Sequence, residues 1–211
     1  EELIARVAEA FTKSEGDIKT TLSALFNDEE FYAPENYRAK IKSPFELAVS
    51  SIRALGAETD AQPMLLGLLN KMGEIPYGYQ APTGYGDTAE MWVNTGALLE
   101  RLNFAIAFSS NRIPGTKVNL KNFESKDREA ILDNAIAKIL DNDISANTKA
   151  NLLKQLAQPL PEATAGTDLT EEPGTMRGRQ TQPNRLLEPS GNPETYKIVS
   201  LVLGTPEFQR Q

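Results

Sequence analysis

The stretch "SPFELAVSSIRALG", residues 43–56, carries the clearest helix signal in the sequence and decides the fold class. Ser43 is a natural N-cap, Pro44 suits the first helical position, and Glu46 stands where a capping box needs a carboxylate. Gly56 follows the last apolar residue, as the left-handed residue after a helix commonly does. The stretch therefore predicts a helix with a defined start and end.

Similar helix signals recur along the whole chain. Apolar residues stand at helical spacing, with Pro or a small polar residue before them and often Gly after them. No stretch alternates convincingly like a strand, since "KVNL" at 117–120 is too short to count. The sequence therefore predicts an all-α fold, an irregular multi-helix bundle with long loops. The other predicted helices lie near residues 2–13, 18–26, 63–72, 88–108, 128–140, 145–157, 193–203 and 206–209.

A segment rich in Pro, Gly, Thr and Gln interrupts this pattern. Residues 159–191 show almost no apolar periodicity, and a structureless segment of this length is uncommon inside a compact domain. We interpret it as an extended strap with a mobile centre, because the apolar final helix must return to the core. The predicted organisation is a helical domain over 1–158, the strap over 159–191, and a C-terminal helix over 192–211 that packs back on the domain.

Charge and composition exclude several functions. The 211 residues have a formal net charge of −7, with 22 basic and 29 acidic residues, and no basic stripe for a nucleic-acid backbone. No apolar run approaches the roughly 20 residues that span a bilayer. Because Cys and His are both absent, catalysis by thiolates or Ser-His-Asp triads is excluded, as are imidazole or thiolate zinc sites.

The sequence also indicates no metal or cofactor site. In "DNDIS", Asp141, Asp143 and Ser145 resemble the first ligands of a calcium loop. Ala146 and Leu152 then stand where that loop needs glycine and a bidentate glutamate. We interpret this stretch as a turn with a helix cap.

The stretch "YGYQAPTGYGDTAEMW", residues 77–92, is the best candidate for a ligand-binding site. Tyr77, Tyr79, Tyr85 and Trp92 could present flat amphipathic rings for stacking on sugars or peptides. Alternatively, these rings pack the loop onto the helices and their hydroxyls bond to the backbone. The sequence leaves both interpretations open.

Three charged residues are interpreted as structural. Arg101 lies in the apolar stretch "LLERLNFA" and would need a carboxylate or carbonyl partner if buried, so we expect a pairing between helices. Glu46 and Glu90 occupy capping-box positions, the latter with Asp87, and are not proposed as an acid/base pair.

Three blocks in order carry a family resemblance: "KSPFELAVSSIRALG", "MGEIPYGYQAPTGYGDTAEMWVNTGALLERLNFA" and "LVLGTPEFQRQ". Together they resemble the C-terminal half of the bacterial family known as domain of unknown function 1800. Many members have Gly-Trp-Pro-Gly where this chain has the residues from Gly84 to Asp87, so a role for Tyr85 does not carry over. The resemblance implies an exported bacterial protein, often encoded beside a sulfatase-like family, with an N-terminal part upstream of Glu1 as a partner. It implies no catalytic residues.

These observations favour a noncatalytic binding or interaction domain, located in the periplasm, at the cell surface or outside the cell. The expected ligand is a polysaccharide or an envelope protein. One alternative is a hydrolase that acts on polysaccharide or cell-wall material through two carboxylates about 5–9.5 Å apart. Another is a structural scaffold for an absent N-terminal half, which would expose a large apolar patch.

Overall fold

The computed structural model describes residues 1–159 and 185–211 and confirms the all-α class. The described chain forms two compact units, residues 1–39 with Gln211, and residues 40–210. The centre of the predicted strap lies outside the described residues. Within the part that is described, no helix is both long and apolar enough to cross a bilayer.

The first unit is a helical hairpin followed by two short 3₁₀ turns. Asp17 accepts a hydrogen bond from the Thr20 N–H and so caps the second helix. The guanidinium of Arg6 binds Asp28 at 2.6 Å and Glu30 at 2.9 Å, which ties the first helix to the turn after the second. The elements are α1 (Glu2–Lys13), α2 (Ile18–Phe26) and 3₁₀ turns at Glu29–Tyr32 and Pro34–Asn36.

The hairpin leaves its apolar faces in solvent. Within residues 1–39, all of which are described, no side chain is buried. A groove of about 460 Å³ between α1 and α2 is lined almost entirely by apolar side chains. Its lining residues are Leu3, Ile4, Val7, Ala8, Phe11, Thr12, Thr21 and Leu25.

The second unit contains the hydrophobic core. Helix α9 lies between α6 and α7 and contacts both, and its side chains Ile198, Val199 and Val202 are completely buried. On α6, Phe104 and Phe108 stack with ring centroids 5.6 Å apart. The helices are α3 (Pro44–Ala54), α4 (Pro63–Lys71), α5 (Ala89–Trp92), α6 (Thr95–Ser109), α7 (Arg128–Leu140), α8 (Ala146–Leu156), α9 (Pro193–Leu203) and α10 (Pro206–Gln209), with a 3₁₀ turn at Lys121–Phe123.

The capping signals predicted for α3 are confirmed. The Ser43 side chain accepts from the Glu46 N–H, and the Glu46 carboxylate accepts from the Ser43 N–H at 2.7 Å. Gly56 follows the helix with a φ of 56°. Asn192 caps α9 in the predicted way, with Pro193 in the first turn.

The prediction of one long helix near 88–108 is wrong. Helix α5 is a single turn that ends at Trp92, and α6 begins only at Thr95, where Asn94 accepts a hydrogen bond from the Ala97 N–H. Asp87 makes no cap at the start of α5, because its carboxylate binds Lys40 instead. A tertiary ion pair therefore replaces the local capping box, and the cap inside the pattern divides the helix.

A two-stranded sheet too short to predict joins two loops. Strand β1 (Glu58–Thr59) pairs antiparallel with β2 (Thr116–Lys117), and the hydroxyls of Thr59 and Thr116 lie 2.8 Å apart. The final described part of the strap segment, residues 185–190, lies against the end of α6. There the Leu187 N–H donates to the Arg112 carbonyl at 2.7 Å, which positions the chain for the start of α9.

Candidate functional site

Residues 74–94 form the aromatic loop, and two of its carboxylates bind residues at or just before the start of α3. The Glu74 carboxylate accepts from the Phe45 N–H at 2.8 Å, one of the backbone donors that a helix start leaves free. The Asp87 carboxylate binds Lys40 at 2.9 Å, and Lys40 also contacts Glu46 of the capping box at 3.5 Å. The capped start of α3 at Ser43 therefore also anchors the aromatic loop.

A tight turn places Tyr77 at the outer end of the loop. The Gly78 N–H donates to the Ile75 carbonyl at 2.8 Å, and Pro76 precedes a Tyr77 with φ of 59°, the pattern of a type II turn. Glycine normally occupies this left-handed position, because a side chain there costs roughly 1–2 kcal/mol. The Tyr77 ring nevertheless stands fully in solvent, with a relative accessibility of 107 %.

Gly78 keeps this turn tight. A Cβ atom at position 78 would lie 2.6 Å from Cγ2 of Ile75, far inside contact distance. Gly78 therefore occupies the fourth position of the turn, where there is no space for a side chain. Tyr77 occupies the third position, where the backbone conformation would favour glycine.

The inner side of the loop is a packed row of three rings. The Tyr85 hydroxyl accepts from the Ile75 N–H at 2.9 Å and donates to the Ile75 carbonyl at 3.1 Å. The Tyr85 ring lies 4.6 Å from that of Tyr79 and 5.4 Å from that of Trp92. Trp92 is 2 % exposed, and its Nε1–H has no hydrogen-bond partner among the described residues.

The structure thus divides the four predicted site residues into two pairs. Tyr85 and Trp92 make the contacts that the packing interpretation predicts. Tyr77 and the half-exposed Tyr79 turn ring surface toward solvent, as a ligand surface requires. Tyr77 projects from the loop, and in the part of the chain that the structure describes none of the four lines either of the two clefts described below.

Charged groups at the base of the loop are held in ionised form. The pKa of Glu90 is lowered by hydrogen bonds from its own backbone N–H and from the Thr88 hydroxyl. The pKa of Lys40 is raised, chiefly by its hydrogen bond to Asp87. A general acid needs a carboxyl pKa shifted upward, toward the working pH, so Glu90 is tuned in the opposite direction.

Arg101 is a structural residue, as predicted from its apolar surroundings. It is 2 % exposed and donates to the Gln209 side chain at 2.8 Å and to the Lys42 carbonyl at 2.7 Å. Burial lowers the Arg101 pKa, and the Glu74 charge partly opposes that effect. Gln209 also accepts from the Lys42 N–H through its backbone, so the terminal "TPEFQ" motif serves to hold this arginine.

Sequence reasoning missed a groove in the second unit, which we call the neutral groove. It has a volume of about 750 Å³ and lies between α6, α8 and the turn from α9 to α10. None of the sixteen described residues that line it is charged. They are Leu99, Leu102, Asn103, Ile106, Asn147, Thr148, Asn151, Leu152, Gln155, Gln158, Pro159, Ser200, Leu201, Gly204, Thr205 and Pro206.

A different cleft, of about 760 Å³, lies beside β2 and residues 187–192. Lys117, Lys121, Glu58 and Glu124 are among its lining residues, so it differs from the neutral groove in carrying charges of both signs.

The residues of the calcium-like stretch act as helix ends. Asp141 ends α7 in a left-handed conformation, and Ser145 caps α8 by accepting from the Thr148 N–H. In residues 1–159 and 185–211, no three Asp or Glu side chains come together in a way that could hold a metal ion.

The fold and the loop define a helical domain that presents aromatic rings on its surface. The chain belongs to the family described as Protein of unknown function (DUF1800), whose family model matches residues 1–210. The match includes the segment between α8 and α9, which the sequence resemblance alone did not cover. No curated protein matches the chain, and no solved structure does.

Proposed function

We propose that this chain is a noncatalytic binding domain that recognises a polysaccharide through the outer rings of the aromatic loop, Tyr77 and Tyr79. The observation that carries the proposal is the conformation of Tyr77, a fully exposed ring on left-handed backbone. Strain of this kind persists where surrounding contacts enforce it and clusters at functional sites. Tyr85 and Trp92 supply those contacts, so their proposed role is support.

The chemistry of the exposed surface favours a sugar polymer. A tyrosine ring offers an apolar face with a polar hydroxyl at one end, which matches a sugar ring with its C–H face and hydroxyl rim. A projecting surface suits a long polymer better than a small metabolite, which generally binds in a cleft. An exported location, which the family resemblance implies, would bring the loop to such polymers.

No observation favours the hydrolase alternative at this loop. Glu74 bonds to the backbone of α3, Asp87 pairs with Lys40, and Glu90 has a lowered pKa. These carboxylates already have positioning roles in the folded chain.

Affinity measurements with neutral hexasaccharides of glucose, xylose and N-acetylglucosamine test the proposal. We expect at least one of these sugars to bind the wild type, with Tyr77→Ala and Tyr79→Ala each weakening binding about tenfold, as expected for a stacked ring. The matched control is Tyr32→Ala, which removes an exposed tyrosine of the first unit. Failure of all three sugars to bind, or equal loss in the control, would contradict the proposal.

A second candidate function is docking of another polypeptide by the helical hairpin. Residues 1–39 contain nine acidic and four basic residues, a net charge of −5, around an apolar groove. An apolar groove in a segment of net negative charge fits a basic amphipathic helix. This observation also supports the scaffold alternative, which requires an exposed apolar patch.

The hairpin candidate is tested with two synthetic helical peptides, one of leucine and lysine and one of leucine and glutamate. The basic peptide should bind more weakly as salt rises, and Ile4→Ser should reduce its affinity, because Ile4 lines the groove. Equal binding of both peptides would exclude recognition by charge.

A further inference from the structure

The neutral groove contains a row of carboxamides along one helix. Asn147, Asn151 and Gln155 follow each other at intervals of four residues on α8, and Gln158 follows just after the helix end. Side chains at this spacing lie on the same face of a helix, one above the other. Within residues 1–159 and 185–211, none of these four side chains has a hydrogen-bond partner, so the row offers unused donors and acceptors.

The opposite wall and floor of the groove are largely apolar. Leu102 and Ile106 on α6, Leu152 on α8 and Leu201 on α9 line it. Leu102 is 44 % exposed, so part of its side chain is open to a ligand in the groove. Asn103 adds one more carboxamide on the α6 side.

The spacing of the carboxamides fits an extended peptide. Four residues of α-helix rise about 6.0 Å. Two residues of an extended chain rise about 6.6–6.8 Å, and that is the repeat of peptide groups facing one side. A carboxamide carries both a donor and an acceptor, so it can pair with the N–H and C=O of a peptide group.

The absence of charge in the lining limits the ligand further. Charged residues make up 24 % of the chain, yet none of the described residues that line this groove is charged. A charged side chain placed on the leucine floor would lose hydration without gaining a partner. An occupant should therefore place apolar side chains on the floor and carry its polar side chains outward.

We propose that the neutral groove binds an extended, uncharged peptide segment, whose main chain pairs with Asn147, Asn151 and Gln155 and whose alternate side chains rest on the leucine floor. The partner is a protein with an exposed uncharged segment in which apolar and polar residues alternate. The distance from Asn147 to Gln155 along α8, about 12 Å, corresponds to roughly four residues of such a segment. This inference does not depend on the aromatic loop.

The test is a titration of the ¹⁵N-labelled chain with a capped octapeptide of alternating serine and leucine. We expect the side-chain NH₂ signals of Asn151 and Gln155 to shift. The double variant Asn151→Ala with Gln155→Ala should bind about tenfold more weakly, as the loss of two neutral hydrogen bonds implies. Its melting temperature should not fall, because both side chains are exposed and alanine favours helix.

Two controls sharpen the result. Lys154→Ala changes α8 outside the groove lining and should leave the peptide affinity unchanged. A peptide with lysine in place of leucine should bind at least about tenfold more weakly, because its charges find no partner on the floor. Absence of shifts up to millimolar peptide, or equal affinity of the double variant, would overturn the proposal. If the same NH₂ signals shift as protein concentration rises in the absence of peptide, the groove binds a second copy of the chain. That result would also overturn the proposal.

Discussion

Tyr77 and Tyr85 are the same residue type in the same loop, and they differ in every physical respect that matters for function. The Tyr85 hydroxyl makes two hydrogen bonds to Ile75 and its ring packs on Trp92, while the Tyr77 ring is fully in solvent. The two residues also differ in backbone strain, because Tyr77 has a left-handed backbone conformation and Tyr85 does not. The difference indicates that Tyr85 holds the loop in place and that the loop in turn holds Tyr77 in its exposed position.

Truncating Trp92, the buried ring beneath Tyr85, should have the largest effect on stability. Trp92→Ala is expected to lower the free energy of unfolding by about 3–5 kcal/mol, the usual cost of truncating a buried tryptophan. Urea unfolding followed by circular dichroism measures the change. Trp92→Phe serves as a control that keeps a ring and removes the Nε1–H, which has no partner among the described residues, so its cost in unfolding free energy should be clearly smaller. A loss below about 1 kcal/mol in Trp92→Ala would mean that the row does not support the loop.

Tyr85→Phe separates the hydroxyl from the ring. It leaves the Ile75 N–H and carbonyl without their partner, and we expect a loss of about 1–2 kcal/mol because the site is only half-buried. The same change at Tyr77, which has no comparable hydrogen bond in the described residues, should leave stability unchanged. If urea unfolding shows the same loss of stability for both substitutions, Tyr85 and Tyr77 do not differ in their structural role.

Asp87→Asn should have a small effect with a definite pH dependence. The Lys40–Asp87 pair lies at the surface, so its loss should cost below about 1 kcal/mol and should shrink in high salt. The Lys40 pKa is raised in the folded state, so the contribution is present below the unfolded pKa and disappears as pH rises through the folded pKa. The gap between the thermal unfolding curves of wild type and variant should therefore stay constant from pH 7 to about pH 10 and narrow only above the unfolded lysine pKa of 10.5. A gap that widens with pH would contradict this sign.

The helix ends could be predicted because they depend on local chemistry. The capping box at Ser43 and the cap at Asn192 use side chains within three residues of the bonds they make. The capping box expected at Asp87 failed for the opposite reason, since Lys40 lies 47 positions away in sequence and takes the carboxylate. Arg101 and Gln209 are even farther apart in sequence, 108 positions, so the sequence could indicate only that some partner was needed.

The candidate site was predictable only as a group of residues. The density of aromatics between Tyr77 and Trp92 indicated where to look, but the division of roles depends on the turn that places Tyr77 at a position usually given to glycine. The neutral groove left a weaker trace, the interval of four residues between Asn147, Asn151 and Gln155. That interval indicates a binding site only once the structure shows that α6 and α9 form the other walls of the groove.

The role of Tyr77 is tested most directly by the variant Tyr77→Gly, with melting temperature and oligosaccharide affinity measured on the same preparation. Glycine relieves the left-handed strain, so we expect the variant to be more stable by about 1 kcal/mol. The same variant should bind its sugar about tenfold more weakly, because it lacks the exposed ring. Higher stability with weaker binding would show that the strain serves recognition. Unchanged affinity for the sugar that the wild type binds would show that Tyr77 is not a contact residue.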